Sequence, residues 1–313
     1  MRARLRRVTV GVMTFADLVV PDGDVPLAVR LHLPDAGHDR SGSLPAVVVT
    51  GSWLTVKEQM PDLYAARLAE KGFVAVTFDF AGFGASGGSL RQTEIPVRKM
   101  RNLGAVVDWL RSTSGVDSQR IGVLGVCASA QYTLGALARG LPVAAFVSVA
   151  GWFHDQDSLA PFYGGADGVA ERLDRAEAAV RALVGGGDAR LAPAYGPGDD
   201  RAGMMMEMDY YANPARGAVP SWRNEMNELS WSHWLTFDAF AAVPDVRVPS
   251  LFVHSDQAVL PDNVKAIAER LGDLADLAWS EGEQTDFYDR PEQVGYAVDA
   301  AIRHFNATTG AHS

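Results

Sequence analysis

Cys127 stands at the apex of Gly125-Val126-Cys127-Ala128-Ser129, with small residues two positions to either side of a potential nucleophile. That spacing suits a sharp strand-to-helix elbow. The central residue takes a strained backbone conformation, and bulkier residues two positions away would strike the adjoining strand and helix. The side chain then rises above the sheet edge beside the first N–H groups of a helix. Those groups and the helix dipole lower a thiol pKa and can hold an oxyanion, so the chemistry would be nucleophilic attack at an acyl carbon. A lone cysteine is more often a small buried apolar residue, and the surrounding elements must decide between the two.

Those elements alternate. Apolar runs at 46–50, 74–78, 121–125, 144–149, 250–254 and 277–280 read as strands, and helical patterns fall at 57–71, 96–112, 128–139, 262–271 and 291–308. The rhythm predicts a mostly parallel sheet flanked by helices. Two further strands, 8–15 and 25–33, read as an antiparallel opening pair with the turn at Pro21 to Asp24. Residues 151–237 break the pattern. They hold a Met run (Met204, Met205, Met206), the pair Tyr210 and Tyr211, and Trp222, Trp231 and Trp234. A structureless loop of that length does not fit a compact domain, so a helical cap or lid is expected there, with the core at 1–150 and 238–313.

Composition narrows the function classes. The net charge is −10, and lysine occurs at positions 57, 71, 99 and 265 alone. With no basic stripe, neither nucleic acid nor a membrane surface is expected as partner. The basic stretch Met1 to Arg7 leads into a segment without a cleavage pattern, read as a first strand rather than a signal peptide. No apolar stretch reaches spanning length. One cysteine cannot form an internal disulfide, which suits a cytoplasmic location. Gly82 to Gly87 fits a dinucleotide fingerprint by spacing, but a loop follows it and no acidic residue ends a second strand at the required distance. No metal-ligand spacing is present, and no cofactor is expected.

Three further segments carry a resemblance: Val47 to Trp53, Phe78 to Ser86, and Val253 to Pro261. With the elbow and the late insertion, the chain resembles the α/β-hydrolase superfamily over nearly its whole length. Within it, the chain looks like the dienelactone-hydrolase-like branch, which uses cysteine where most members use serine. The resemblance implies an eight-stranded, mostly parallel sheet with the cap inserted after the sixth strand. It implies Cys127 as nucleophile and two oxyanion N–H groups, from Ala128 and from Trp53 or Ser52. In such enzymes an acid and a histidine follow in chain order.

Both departures fall here. The place of the acid is Gln257, with Asp256 beside it as a substitute. The place of the histidine, in Glu281 to Asp289, is about Gln284, and glutamine cannot accept a proton at neutral pH. A serine without a base would be close to inert, whereas a cysteine at a helix N-terminus can ionise unaided. His154 and His233 are the alternative bases; His254 suits a structural role and His304 the surface. Glu58, Trp152, Trp231 and His233 are candidate substrate-binding residues. The expected activity is an ester, thioester or lactone hydrolase on a small apolar or aromatic molecule, with a homodimer allowed for. The alternative is a non-hydrolytic cyclase, lyase or isomerase on the same fold.

Overall fold

The structure, a computed structural model, describes residues 6–10, 13–34 and 42–309. Among the described residues nine strands form one sheet: β1 (Arg6–Val10), β2 (Met13–Asp22), β3 (Val25–Leu33), β4 (Leu44–Thr50), β5 (Val74–Phe78), β6 (Val116–Val126), β7 (Ala145–Val149), β10 (Ser250–His254) and β11 (Ala275–Trp279). Two short strands, β8 (Leu191–Ala192) and β9 (Met226–Asn227), pair apart from it. The order across the main sheet is β1-β2-β3-β5-β4-β6-β7-β10-β11. From β5 to β11 all neighbours are parallel, and β1, β2 and β3 form the antiparallel edge.

All eight expected strands are present, and β1 is a ninth. The strand expected over 8–15 divides between β1 and β2, while residues 11 and 12, like the basic residues 1–5, lie outside those described. The turn shortens to Gly23 and Asp24, because Asp22 and Val25 still pair. Gly23 has φ 59°, a conformation that glycine takes without steric cost.

Strands β5, β7 and β10 are buried on both faces, as their mostly apolar sequences suit in a parallel sheet covered on both sides. Helix α1 (Met60–Ala69) begins three residues after its expected start. Lys57 is held instead by Asp79, which accepts from its backbone N–H and its ammonium at 2.9 and 2.8 Å, and Pro61 suits the first helical turn. α2 (Pro96–Arg111) packs against α3 (Ala128–Ala138), which is buried on nearly every side and so carries no polar stripe. The closing helix Pro291–Thr309 covers the central strands. Its His304 faces inward, hydrogen-bonded to the Pro249 carbonyl at 3.3 Å, which corrects the surface placement expected for it.

The dinucleotide-like glycines close a turn on the protein's own carboxylate. A Cβ on Gly84 (φ 46°) would lie 2.3 Å from Asp79 Oδ2, so the turn is filled. Between β7 and β10 the chain leaves the sheet. It forms the helix Gly165–Val184, the short helices Gln156–Leu159, Asp209–Ala212 and Ser230–Trp234, and the β8–β9 pair. Arg172 fastens these parts, its guanidinium 4.9 Å from the Tyr163 ring and 5.3 Å from that of Trp231.

Candidate active site

The chain turns from β6 into α3 at Cys127, whose φ of 55° is the strained value an elbow demands. Gly125 is small for a visible reason: a Cβ there would lie 3.0 Å from the Ala130 backbone. Cys127 N–H donates to the Val149 carbonyl, and the Cys127 carbonyl accepts from Trp152 N–H, at 3.1 and 3.0 Å. Among the described residues five non-glycines have positive φ, and Leu54, Cys127, Ala150 and Leu260 are four of them. All four lie on the loops around this elbow. At about 1–3 kcal/mol each, such strain persists where the surroundings enforce it, as at reactive sites.

Cys127 is 5% exposed. Burial pushes the Cys127 thiol up, against the opposing pull of the Ser52 and Tyr288 hydroxyls and the Ala128 and Trp53 backbone N–H groups, all of which favour its thiolate. The expectation that the helix terminus would lower this pKa is therefore corrected: its N–H contributes, but desolvation outweighs it. Trp53, rather than Ser52, gives the second backbone N–H. Ser52 instead turns its hydroxyl into the site, accepting from Tyr211 Oη at 3.1 Å and standing 3.3 Å from Tyr288 Oη. Burial holds both phenols protonated, their pKa values well above the usual tyrosine value.

Gln284 reaches this group through the phenol of Tyr288. Its Oε1 accepts the Val259 N–H at 3.1 Å, and its Nε2 donates to the Ala150 carbonyl at 2.8 Å and to Tyr288 Oη at 3.1 Å. Gln257 lines the same cavity and accepts the Gly282 N–H through Oε1 at 3.2 Å. Two amides thus occupy the places in which an acid and an imidazole were sought.

Other candidates are placed elsewhere. Asp256 points into solvent with its side chain 71% exposed and binds Lys265 Nζ at 2.8 Å, so it does not join the cysteine. His154 is fully buried and both ring nitrogens are used. Nδ1 accepts from Trp152 Nε1 at 2.7 Å, which leaves the proton on Nε2 for the Trp234 carbonyl at 3.0 Å. Burial lowers its pKa to about 4, a neutral structural imidazole rather than a base. His254, bonded to the Val259 carbonyl at 3.1 Å, is lowered to about 4 by burial as well. His233, lowered by burial and then by Arg98, does not line the cavity. Glu58 is drawn to Lys57 at 2.6 Å and Ser221 at 3.1 Å, away from it. Trp231 is wholly buried behind Trp53, with ring centroids 5.8 Å apart, and supports the wall without forming it.

The cavity over Cys127 measures about 580 Å³. Trp53 and Trp234 stack at 4.4 Å along one wall, Trp152 lies 5.7 Å from Trp234, and Met204, Met205 and Met206 reach in from the inserted segment. Its two carboxylates, Glu207 and Glu283, are exposed residues. Among the described residues no histidine lines it, and no group of three His, Cys, Asp or Glu could hold a metal. Tyr288 and Tyr211 escaped the sequence reading. Tyr288 lies four residues after Gln284, at the spacing of a helical neighbour, and Tyr211 belongs to the conspicuous Tyr pair, so both signals were present but unspecific.

A strained elbow at the carboxyl edge of this sheet, under a largely apolar cavity, defines an α/β-fold hydrolase. The model of the X-Pro dipeptidyl-peptidase (S15 family) matches residues 22–273, and the chain belongs to that family. It is 28% identical to YcjY of Escherichia coli (strain K12), over 91% of this chain and 95% of that protein. It is 30% identical to PA2218 of Pseudomonas aeruginosa, over 87% of this chain and 75% of that one. The crystal structure of PA2218 has the same fold, with a TM-score of 0.80 and 22% identity over 96% and 95% of the two chains. The α/β hydrolase GrgF from Penicillium sp. sh18 is similar too, with a TM-score of 0.77 and 18% identity over 95% and 99%. No described helix is long and apolar enough to cross a membrane.

Proposed function

We propose that this enzyme is an acyl hydrolase in which Cys127 attacks an ester, thioester or lactone and the N–H groups of Trp53 and Ala128 hold the oxyanion. The observation that carries this is the strained apex at Cys127 beneath the cavity, where the Trp53 and Ala128 N–H groups favour its thiolate. A group that forms at that sulfur places its developing negative charge beside two fixed donors. The reading agrees with the resemblance to dienelactone-hydrolase-like enzymes, and the family match favours hydrolysis over a cyclase or lyase. Residues 151–237 act as a cap over the cavity. Its Trp and Met lining suits an apolar or aromatic acyl group, and a single reduced cysteine suits the cytoplasm.

Leaving-group chemistry ranks the substrates. A thiolate departs with a conjugate-acid pKa of about 8.5, whereas an amine must be protonated as it leaves, a task for an imidazolium that this cavity lacks. Thioesters and activated esters therefore come first and peptide bonds last, although the family takes its name from a peptidase.

The test is acylation of the full chain with a 4-nitrophenyl ester and an acyl thioester, followed by intact-mass spectrometry. The wild type should gain one acyl group, and Cys127→Ala should gain none and lose turnover by at least 10³-fold. Turnover unchanged in Cys127→Ala would remove the cysteine from the mechanism.

A further inference from the structure

We propose that Tyr288 is the proton relay of the acyl-transfer step and that Gln284 is the positioning residue that aims it. This rests on Cys127 being the nucleophile.

The direction of each hydrogen bond fixes the roles. A side-chain amide can be flipped in place, but here both ends of Gln284 meet backbone groups of fixed polarity. The Val259 N–H can only donate, so Oε1 faces it. The Ala150 carbonyl can only accept, so Nε2 faces that. The second Nε2 hydrogen is then left for Tyr288 Oη, 3.1 Å away, and the phenol oxygen must be the acceptor. The phenol's own proton is consequently turned from Gln284 toward the cysteine side of the site, where Ser52 Oγ lies 3.3 Å off. Tyr211 commits its proton to Ser52 at 3.1 Å and holds that hydroxyl in place. Tyr288 is 2% exposed and lines the cavity with Cys127.

A neutral thiol needs such a relay. As Sγ bonds to the acyl carbon, the S–H proton passes to Tyr288 Oη while the phenol proton passes to the leaving atom. The bond from acyl carbon to that atom breaks, its electron pair takes the proton, and Tyr288 ends neutral. In deacylation a water gives its proton to Tyr288 Oη as its oxygen bonds to the acyl carbon, and the phenol proton goes to the departing sulfur. Both halves balance without a charged base. Among the other polar side chains of the cavity, Glu207, Glu283 and Gln257 belong to exposed residues, and Tyr211 commits its proton to Ser52.

The measurement is the dependence of the acylation rate on leaving-group pKa, for esters of one acyl chain with 4-nitrophenol, phenol, trifluoroethanol and ethanol. In the wild type the slope should be shallow. Tyr288→Phe should lose rate with every ester, because the thiol proton loses its acceptor, and should lose about 10²–10³-fold more with the ethyl ester than with the 4-nitrophenyl ester, the range of general acid–base assistance. Gln284→Glu is a second route to the same slope that leaves the phenol in place. A carboxylate at that position accepts rather than donates and draws the Tyr288 proton away from the cysteine. A loss equal across all four esters in both variants, or no loss in either, overturns the relay. Absence of any Cys127 adduct in the wild type with the 4-nitrophenyl ester instead overturns the nucleophile itself.

Discussion

The thiol of Cys127 should alkylate as a protonated, buried group. An ordinary thiol, with a pKa of about 8.5, is about 3% thiolate at pH 7. Burial raises Cys127 above its ordinary value, and each unit of rise removes a further factor of about ten from that fraction. The rate of carboxamidomethylation by iodoacetamide should therefore climb about tenfold per pH unit from pH 6 to 9, with no plateau in that interval. Removing a stabilising hydroxyl shifts the curve in a known sense. A hydrogen bond to a charged group contributes about 1.5–3 kcal/mol, so Ser52→Ala should move the profile up by about one to two pH units. The assay is clean because the chain has one cysteine, and intact mass counts one site. A plateau reached below pH 8 would mean a preformed thiolate. In that case the helix terminus would outweigh desolvation, and the need for a neutral proton relay would vanish.

Two further outcomes follow from groups outside the cavity. Asp256→Ala should leave kcat/KM within about twofold of the wild type and the melting temperature nearly unchanged, because its exposed pair with Lys265 is of the kind that contributes little; a loss of activity beyond tenfold would return Asp256 to the mechanism. Acid should unfold the protein through His154 and His254, whose folded pKa values of about 4 lie below the ordinary value of 6.5. Stability from these neutral imidazoles is complete above pH 6.5 and lost as pH falls through 4, on the order of 3 kcal/mol for His154. Thermal melts between pH 7 and 4 should show a steeper fall for the wild type than for His154→Gln, and parallel curves would contradict the assignment.

Most of the sheet and the elbow were legible because each rests on local pattern. Mostly apolar runs without polar alternation mark β5, β7 and β10 as doubly covered strands, and the small residues at 125 and 129 mark the turn at Cys127. The partners of the cysteine were less so. Tyr288 comes 161 positions after Cys127 and Tyr211 comes 84 after it, on segments whose approach depends on how the inserted chain folds back. A sequence can show that Gln284 replaces a base without showing which phenol its amide reaches. His154 misled for a related reason: a histidine beside tryptophans is attractive as a catalytic group, but those aromatics exclude water and the Trp152 and Trp234 bonds use both its nitrogens. The sign of the thiol shift was also out of reach, since the dipole is local to α3 and the desolvation comes from the whole cavity.

The replacement of acid and imidazole by Gln257 and Gln284 is consistent with the cavity above them. An imidazole–carboxylate couple works by building an ion pair during reaction, and in a site walled by Trp and Met that pair would need a desolvated, fully hydrogen-bonded setting. Here Cys127, Ser52, Tyr211, Tyr288 and the two amides can all be neutral in the resting enzyme, and a concerted relay keeps charge separation small. In the proposed mechanism charge develops chiefly on the acyl oxygen, which the Trp53 and Ala128 N–H groups would hold. The strain at Leu54, Cys127, Ala150 and Leu260 then has a common role. Leu54 adjoins Trp53, Ala150 and Leu260 flank the backbone groups that orient Gln284, and Cys127 presents the sulfur, so the backbone deformation holds donors and relay in register around one carbon.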